Sequence, residues 1–247
     1  NSSGGAFTAL SDVVDSLLVI KKVVFEDKKY TFDELKDAMD ADFVGYETLH
    51  AYISNRVPKF GSGDESGRIM VDRVTTMIAN YMHSHDNGRG GCYFPGYRTN
   101  NNHTVYGRVS GASASGRLAG QPFTSGLTPN PAASNNILDN LNDIASINPL
   151  NCDNNYTFNV RVSFKEKDDE SHKQNVDHLA NYIQTYFVNG GMQIQCNVVD
   201  TNTLKDAMAH PELYPDLIAR VSGYTGYYTR MQQDLQLEII GRTEFKI

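Results

Sequence analysis

The fold of this chain is decided by the stretch Tyr156–Phe164, YTFNVRVSF, in which aromatic or aliphatic residues alternate with polar ones. A period of two residues is typical of a strand with one buried face. A helix should follow, because apolar residues then recur at helical spacing up to Gly190-Gly191, which supply a left-handed stop. The apolar stripe of that helix consists of Val176, Leu179, Ile183 and Phe187.

Two more strands are predicted after this helix. Alternation returns in residues 192–198, Thr203 then caps a short helix that must stop before Pro211, and residues 217–221 form the last strand. Strand, helix, strand, helix, strand at this spacing predicts an α/β fold with a parallel sheet and right-handed crossovers. In such sheets the functional site lies beyond the carboxyl ends of the strands, which is where Ser222-Gly223 falls.

The N-terminal third is predicted to be a helical scaffold. Thr31 and Glu34 stand three apart as a capping box, and a further helix through residues 71–78 should end near residues 83–85. One buried stripe on the first helix is predicted from the helical spacing of Leu10, Val13, Val14, Leu17, Leu18 and Val24.

Residues 87–131 have a different character, because glycine, asparagine, serine and proline dominate and no period persists. The pattern predicts a long loop region. Loops of this length inside a compact domain are usually functional, so this one is a candidate to line a cavity.

Composition excludes several classes of function. The net charge is −7 and the basic residues are scattered, which argues against a nucleic-acid surface. No apolar run approaches the roughly eighteen residues of a membrane span, and no secretion leader is recognisable. We therefore expect a cytoplasmic protein without a membrane or nucleic-acid partner.

Metal and nucleotide sites find no support in the sequence. Cys92, Cys152 and Cys196 are far apart and form no Cys-x-x-Cys pair, which fits a reducing compartment and excludes a zinc ribbon or an internal iron–sulfur cluster. His83, His85 and His103 do not match a known ligand pattern and are predicted to be solvated. Residues 107–120 lack the Gly-Lys-Ser/Thr of a phosphate loop.

Two segments near the C-terminus carry a specific signature, Arg-Val-Ser-Gly-Tyr at 220–224 and Gln-Leu-Glu-Ile-Ile-Gly-Arg-Thr at 236–243. In both, the chain resembles the glycyl radical enzymes, a family that includes pyruvate formate-lyase, glycerol and propanediol dehydratases, choline trimethylamine-lyase and arylacetate decarboxylases. Further similar motifs precede them in the family's order, namely Tyr106-Gly107, Gly116–Pro122, Gly190–Val198 and Asp206–Glu212.

The resemblance implies that Gly223 stores the radical. A radical on an α-carbon spreads onto both flanking amides only if that carbon becomes planar, and a Cβ would crowd this geometry. A lone Ser-Gly-Tyr would usually be a turn with positive φ, so the longer signature is what favours the radical. The resemblance also implies that an S-adenosylmethionine-dependent 4Fe-4S activating enzyme installs the radical, and no bound cofactor is expected.

Enzymes of this family abstract the substrate hydrogen with a cysteine thiyl, which the resemblance places in a Gly-Cys-x-Glu or Cys-Cys context. None of the three cysteines has such a context, and Cys196 is predicted to be a packed strand residue. The chain also opens with Asn1 instead of methionine. We therefore expect the thiyl cysteine to come from a missing N-terminal portion or from a separate, larger subunit.

Several residues are candidates to surround the radical. Arg220, Ser222 and Tyr224 flank Gly223 in the signature. The resemblance gives Arg242 a role in organising the pocket, whereas a helix-terminal arginine that interacts with the macrodipole is an equal alternative. Tyr97 and Asn100 lie in the glycine- and asparagine-rich region and could line the pocket.

The resemblance implies the C-terminal half of a ten-stranded α/β barrel with the radical loop inside. Residues 1–130 would belong to the barrel domain and residues 131–247 would form the glycyl radical domain. The ending Arg242–Phe245 is closer to members that eliminate water or another leaving group from a small substrate. Formate C-acetyltransferase and radical decarboxylase are enzymatic alternatives, and a spare-part glycyl radical module is a non-enzymatic one.

Overall fold

The computed structural model describes residues 2–99, 101–164, 168–221 and 223–246. Its first part contains strand β1 (Ser3–Phe7), helix α1 (Leu10–Val19) with a π-helical continuation (Ile20–Glu26), helices α2 (Phe32–Asp40), α3 (Glu47–Arg56) and α4 (Glu65–His83), strand β2 (Tyr93–Tyr97) and helix α5 (Asn102–Val109). Its second part contains α6 (Ile137–Ala145), β3 (Asn155–Tyr156), β4 (Asn159–Ser163), α7 (Asp169–Val188), β5 (Gln195–Val198), α8 (Thr201–Ala209), β6 (Ile218–Arg220), β7 (Thr225–Tyr227), α9 (Gln233–Gly241) and β8 (Glu244–Lys246). Short 3-10 turns occupy Pro149–Asn151, Pro211–Leu213 and Tyr228–Arg230.

The helical scaffold predicted for the N-terminal third is confirmed by α1 to α4. The capping box is also present: the Thr31 amide donates to Glu34 Oε2 at 2.7 Å, and the Glu34 amide donates to Thr31 Oγ1 at 3.2 Å. These bonds satisfy amide groups that a helix N-terminus otherwise leaves without partners.

The predicted stripe on the first helix is only partly correct. Leu10, Val14 and Leu18 are buried, whereas Val13 and Leu17 are exposed. The helix packs against α4 along a narrower face than the apolar pattern suggests. Val13 and Leu17 therefore lie on the surface of this chain.

The prediction of one long loop over residues 87–131 is wrong in its first half, because β2 and α5 lie there. Strand β2 is the centre of a parallel sheet in the order β1-β2-β3, with Ser3 opposite Tyr93 and Phe7 opposite Tyr97. Strand β1 contains two glycines and β2 contains Pro95-Gly96, and both residue types have low strand propensity. Pairing between distant segments therefore determines the conformation of these strands.

The second sheet has the order β5-β4-β8, and both of its strand pairs are parallel. Helix α7 connects β4 to β5, which confirms the predicted strand-helix-strand unit and its parallel pairing. The predicted stop of α7 is also found, since the helix ends at Val188 and Gly190 has a φ of +107°.

Two details of the second half differ from prediction. The last predicted strand, β6, does not join the parallel sheet but pairs antiparallel with β7, so Gly223 lies at the tip of a hairpin. The N-cap of α8 is Asp200 and not Thr203, because the Asp200 carboxylate accepts from the amides of Asn202 and Thr203. Thr203 lies inside the first turn of that helix.

The prediction that YTFNVRVSF forms one strand with one buried face is also wrong. The stretch divides into β3 and β4, which belong to different sheets, and both faces of β4 are buried. The apolar face, with Val160 and Val162, packs into the main hydrophobic core. On the polar face, Asn159 hydrogen-bonds to Ser125 and Thr128, whereas Arg161 is covered by a later part of the chain.

That later part is built on a second, smaller core. Its buried members come from α8, the β6-β7 hairpin and α9, and they are Leu204, Ala207, Ala219, Val221, Tyr228, Leu235 and Ile239. We call this body the hairpin unit. The polar face of the β5-β4-β8 sheet therefore lies between the two hydrophobic cores of the chain.

No helix within the described residues is long and apolar enough to cross a membrane.

Candidate functional site: the hairpin tip and the cavity beside it

Gly223 occupies the hairpin tip with a φ of +83°, a backbone conformation that favours glycine. The hairpin closes below it through a hydrogen bond from the Val221 amide to the Tyr224 carbonyl, at 2.9 Å. Gly223 is exposed on this chain, and a Cβ at its position would meet no atom of the described residues within 4 Å, its chain neighbours aside. Backbone conformation, and not close packing within this chain, is therefore the local reason for a glycine here.

The hairpin is attached to the polar face of the sheet by side chains. Asn197 donates to the Arg220 carbonyl at 2.7 Å and accepts from the Arg220 amide at 2.6 Å. Gln195 Oε1 accepts from the Gly223 amide at 2.9 Å and from Arg220 Nε at 3.2 Å. Two amide side chains of β5 thus hold the strand before the tip and the tip itself.

Arg242 supports the same strand from the other side. It follows the last residue of α9 and forms a two-bond ion pair with Glu238, at 3.0 and 2.8 Å. Its remaining Nη1 group donates to the Arg220 carbonyl at 3.2 Å. Both alternatives for this residue thus have a structural counterpart, because Arg242 lies at a helix C-terminus and also contacts β6, the strand that precedes Gly223.

The carboxylate of Glu238 lies in a strongly positive environment. Burial raises its pKa, but the charge of Arg242 and the contacts with His103 outweigh burial and lower the pKa to about 2. His103 Nε2 lies 3.4 Å from Glu238 Oε1. Glu238 is therefore ionised at neutral pH and holds Arg242 in place.

The prediction of solvated histidines is wrong for His103, which is fully buried between α5 and α9. Its Nδ1 lies 3.2 Å from the Thr99 hydroxyl. The other two histidines of the group lie elsewhere: His83 contacts Asp153 at 3.0 Å, and His85 contacts the Tyr81 carbonyl at 2.7 Å.

A cavity of about 810 Å³ lies beside the hairpin unit. Residues 115–117, 120–125 and 128–132 contribute to its wall, which confirms that the second half of the glycine- and asparagine-rich region lines a cavity. Arg242 and Glu238 line it as well, so the ion pair that supports β6 also shapes the cavity.

The wall of this cavity contains buried charged side chains. Arg161 is 2% exposed and donates through Nη2 to the carbonyls of Ile240 and Arg242. Asp12 accepts from both the amide and the hydroxyl of Thr124, at 2.7 and 2.6 Å. Burial raises the pKa of Asp12, against the lowering effect of these bonds and of Arg117. The cavity wall therefore includes buried side chains of both charge types, Arg161 and Asp12.

Tyr97 is fully buried in β2, with its ring 5.8 Å from that of Phe7, and it is not among the residues that line this cavity. Burial raises the pKa of its phenol far above the usual range. Its role at the pocket stays a prediction. Asn100 and Ser222 lie outside the described residues.

The cysteines lie in three different settings. Cys152 is buried, and burial raises the pKa of its thiol to about 12. Cys196 lies in β5 as predicted and packs against the main core, and burial raises the pKa of its thiol too. Cys92 is half-buried near a bridge to Asp86. High pKa values do not prevent hydrogen-atom transfer, which needs the thiol and not the thiolate.

Sequence reasoning missed four residues around the tip: Gln195, Asn197, Arg161 and Glu238. The signal that could have identified the first three is their position at alternate, polar sites of β4 and β5. Such sites are usually assigned to solvent. Here they are buried because a segment that follows in the sequence covers them.

Two family models match this chain, one on each side of residue 115. Residues 1–107 match the family model for pyruvate formate lyase-like proteins, and residues 123–229 match the glycine radical model. The second match includes the whole β6-β7 hairpin with Gly223 at its tip. The chain belongs to the glycyl radical enzyme family.

Its relatives in the family include eliminating enzymes. The chain is 34% identical to trans-4-hydroxy-L-proline dehydratase of Clostridioides difficile over 95% of its length, and 32% identical to isethionate sulfite-lyase of Bilophila wadsworthia over 96%. Among solved structures, the B12-independent glycerol dehydratase of Clostridium butyricum matches with a TM-score of 0.92 at 29% identity and covers 100% of this chain. These matches confirm the α/β fold of a glycyl radical enzyme.

The chain is much shorter than these relatives. It spans 29% of the hydroxyproline dehydratase, 28% of the sulfite-lyase and 31% of the glycerol dehydratase chain. It corresponds to one part of a larger glycyl radical enzyme.

Proposed function

We propose that this chain is the radical-carrying part of a glycyl radical lyase that eliminates water or another leaving group from a small polar substrate. The observation that carries the proposal is Gly223 at the tip of a hairpin inside the segment that matches the glycine radical model. The chain is also similar to two dehydratases and a sulfite-lyase, which supports elimination. It is 31% identical to an indoleacetate decarboxylase over 95% of its length, so radical decarboxylation is the second candidate function.

Gly223 stores the unpaired electron between turnovers. Removal of one α-hydrogen leaves a carbon radical that two peptide groups stabilise, one by electron donation from nitrogen and one by the carbonyl. A glycine allows the α-carbon to become planar without a clash from Cβ. Its position on a hairpin attached by Asn197, Gln195 and Arg242 fixes the radical relative to the β5-β4-β8 sheet.

The catalytic cycle is neutral in hydrogen atoms and electrons. A cysteine S–H transfers its hydrogen atom to the Gly223 radical, and the resulting thiyl removes a hydrogen atom from the substrate. The substrate radical then loses its leaving group with a proton, and the product radical takes a hydrogen atom back from the cysteine. Gly223 finally returns its hydrogen atom to the thiyl, which restores the stored radical.

Two partners are part of this proposal. One is the N-terminal portion or large subunit that carries the thiyl cysteine, since none of Cys92, Cys152 and Cys196 lies in a thiyl context. The other is an S-adenosylmethionine-dependent activating enzyme with a 4Fe-4S cluster, which removes the first hydrogen atom. The match of residues 1–107 to the lyase-like model argues against a spare-part module, which would need little beyond the radical hairpin.

The test is turnover by the complete protein that contains this chain, activated without oxygen and supplied with three compounds. These are trans-4-hydroxy-L-proline, glycerol and isethionate, the compounds that the relatives' names indicate. We expect elimination from one of them or from a close analogue, and none after Gly223→Ala. Turnover that persists in Gly223→Ala would contradict the proposal.

Substitution of the three cysteines tests the division of labour. Cys92→Ser, Cys152→Ala and Cys196→Ser should each retain turnover, because we place the thiyl on another segment. If one of them abolished turnover and left the glycyl signal intact, that residue would be the thiyl and the chain would contain the complete radical pair.

A further inference from the structure

Gln195 is the side chain from outside the hairpin that contacts the main chain of the radical residue itself. Its Oε1 atom lies 2.9 Å from the Gly223 nitrogen and 3.2 Å from Arg220 Nε. Both partners are obligate donors, so the amide oxygen and not the amide nitrogen must face the hairpin tip. The orientation of this side chain is therefore determined by its contacts.

The position of Gln195 is fixed by its strand pairing and backbone contacts in the sheet. It is the first residue of β5 and lies opposite Asn159 of β4 in the parallel register. Its own amide donates to the Phe158 carbonyl at 2.8 Å, and its side chain is buried. The acceptor that meets Gly223 thus stands on the sheet and does not move with the hairpin.

Packing does not fix Gly223 in the same way. The residue is exposed on this chain, and beyond its chain neighbours no described residue has an atom within 4 Å of the position of a Cβ. Asn197 and Arg242 hold Arg220, three residues earlier, at its backbone. The hydrogen bond from the Gly223 amide to Gln195 then holds the tip itself in position on the sheet.

We propose that Gln195 is a positioning residue for the glycyl radical, acting through the Gly223 N–H. The inference rests on the proposed function of Gly223. The nitrogen of that peptide group donates electron density to the α-carbon radical, and an acceptor on its N–H increases the density that the nitrogen can donate. The same bond holds the peptide plane in one orientation, so the half-filled orbital points in one direction for hydrogen-atom transfer.

Three substitutions separate this role from a merely structural one. Gln195→Leu has a similar size and removes the acceptor. Gln195→Glu keeps an acceptor oxygen at the same reach and can pair with Arg220. Gln193→Leu is the matched control, because Gln193 Oε1 also accepts one backbone amide, that of Phe158 at 3.1 Å, but does not contact the hairpin tip.

The first measurement needs no radical. Hydrogen exchange at the Gly223 amide is followed in the complete, unactivated protein with 15N-labelled glycine. We expect exchange about tenfold faster in Gln195→Leu, since one hydrogen bond is lost at an exposed position. Gln195→Glu and Gln193→Leu should exchange at the wild-type rate.

The second measurement is electron paramagnetic resonance and electron–nuclear double resonance of the activated protein. Gln195→Leu should change the coupling of the unpaired electron to the exchangeable amide proton and lower the stored spin per protein severalfold. Gln195→Glu should restore both, and Gln193→Leu should match the wild type. If Gln195→Leu does not fold, Gln195→Asn, which is shorter by one methylene, replaces it in both measurements.

The outcomes distinguish this inference from the proposed function. A wild-type protein that shows no glycyl signal overturns both, even if exchange responds to Gln195. A wild-type glycyl signal whose coupling and spin are unchanged in Gln195→Leu overturns the inference alone. An equal change in Gln193→Leu also overturns it, because the effect would then be a general loss of sheet stability.

Discussion

The two faces of the β5-β4-β8 sheet are both buried, but they serve different purposes. On one face Val160, Val162 and Phe245 join the main hydrophobic core. On the other face Arg161, Gln195 and Asn197 meet the hairpin unit through hydrogen bonds. The apolar face therefore stabilises the fold, whereas the polar face determines where the hairpin tip lies.

A polar interface suits this second purpose because hydrogen bonds are directional and apolar contacts are not. Three of the bonds between the sheet and the hairpin fix backbone groups, namely the carbonyl and amide of Arg220 and the amide of Gly223. Substitutions on the apolar face should therefore change stability without changing the radical. Substitutions on the polar face should change the radical and cost less stability.

The largest expected effect is scission of the chain by oxygen at one peptide position of the hairpin. A carbon radical combines with oxygen, and we expect the backbone to break at Gly223 in every activated molecule. Mass spectrometry of activated, air-exposed protein should find a product that ends at Ser222. The same hairpin also contains Gly226. Scission at Gly226 would show that the unpaired electron resides there and not on Gly223.

The next effect is a dependence of stability on pH that arises at the Glu238–Arg242 pair. The folded pKa of Glu238 is about 2, below the ordinary value of 4.5, so this group stabilises the fold fully above about pH 4.5. The contribution, on the order of 3 kcal/mol, is lost as the pH falls towards 2.

Denaturant unfolding at several pH values measures this contribution. The unfolding free energy of the wild type should fall more steeply between pH 5 and pH 2 than that of Glu238→Gln. Parallel curves for the two proteins would mean that Glu238 does not interact with Arg242 and His103 as the structure indicates.

A smaller effect is expected on the apolar face. Val162 is fully buried and lies opposite Val198 and Phe245 in its two strand pairs. Val162→Ala removes two methyl groups from the core and should lower the free energy of unfolding by about 2 kcal/mol. The glycyl spectrum of the protein that remains folded should not change. A changed spectrum would show that the two faces are not independent.

The smallest expected effect on stability comes from Asn197→Ala, the matched change on the polar face. It removes two hydrogen bonds, but the Arg220 carbonyl keeps its bond from Arg242, so the loss should be about 1 kcal/mol. The spin stored on activation should nevertheless fall below that of Val162→Ala. The opposite ranking would reverse the roles that we assign to the two faces.

Local patterns predicted a large part of this fold. The capping box at Thr31, the end of α7 at Gly190 and the parallel pairing of β4 with β5 follow from residues that are close in sequence. Strands β1 and β2 were not predictable in this way. Their sequences SGGAF and YFPGY have low strand propensity, and they become strands because segments about ninety residues apart pair in register.

For the candidate site, the sequence suggested a chemistry, which stays a prediction, but not the residues that support the hairpin tip. Gly223 and Arg242 follow from the resemblance to the family. Gln195 and Asn197 were not predicted, since an alternating polar residue has the same pattern whether water or another part of the chain covers it. Here the hairpin unit covers these residues. Its packing on the sheet joins segments that are distant in sequence, and such a contact cannot be predicted from the periodicity of one strand.

The central claim is that Gly223 stores the radical, and electron paramagnetic resonance of the anaerobically activated protein tests it most directly. We predict a doublet that arises from the single remaining α-hydrogen, that collapses to one line when glycine is deuterated at the α-carbon, and that is absent in Gly223→Ala. A doublet that persists in Gly223→Ala, or that is insensitive to α-deuterated glycine, would contradict the claim.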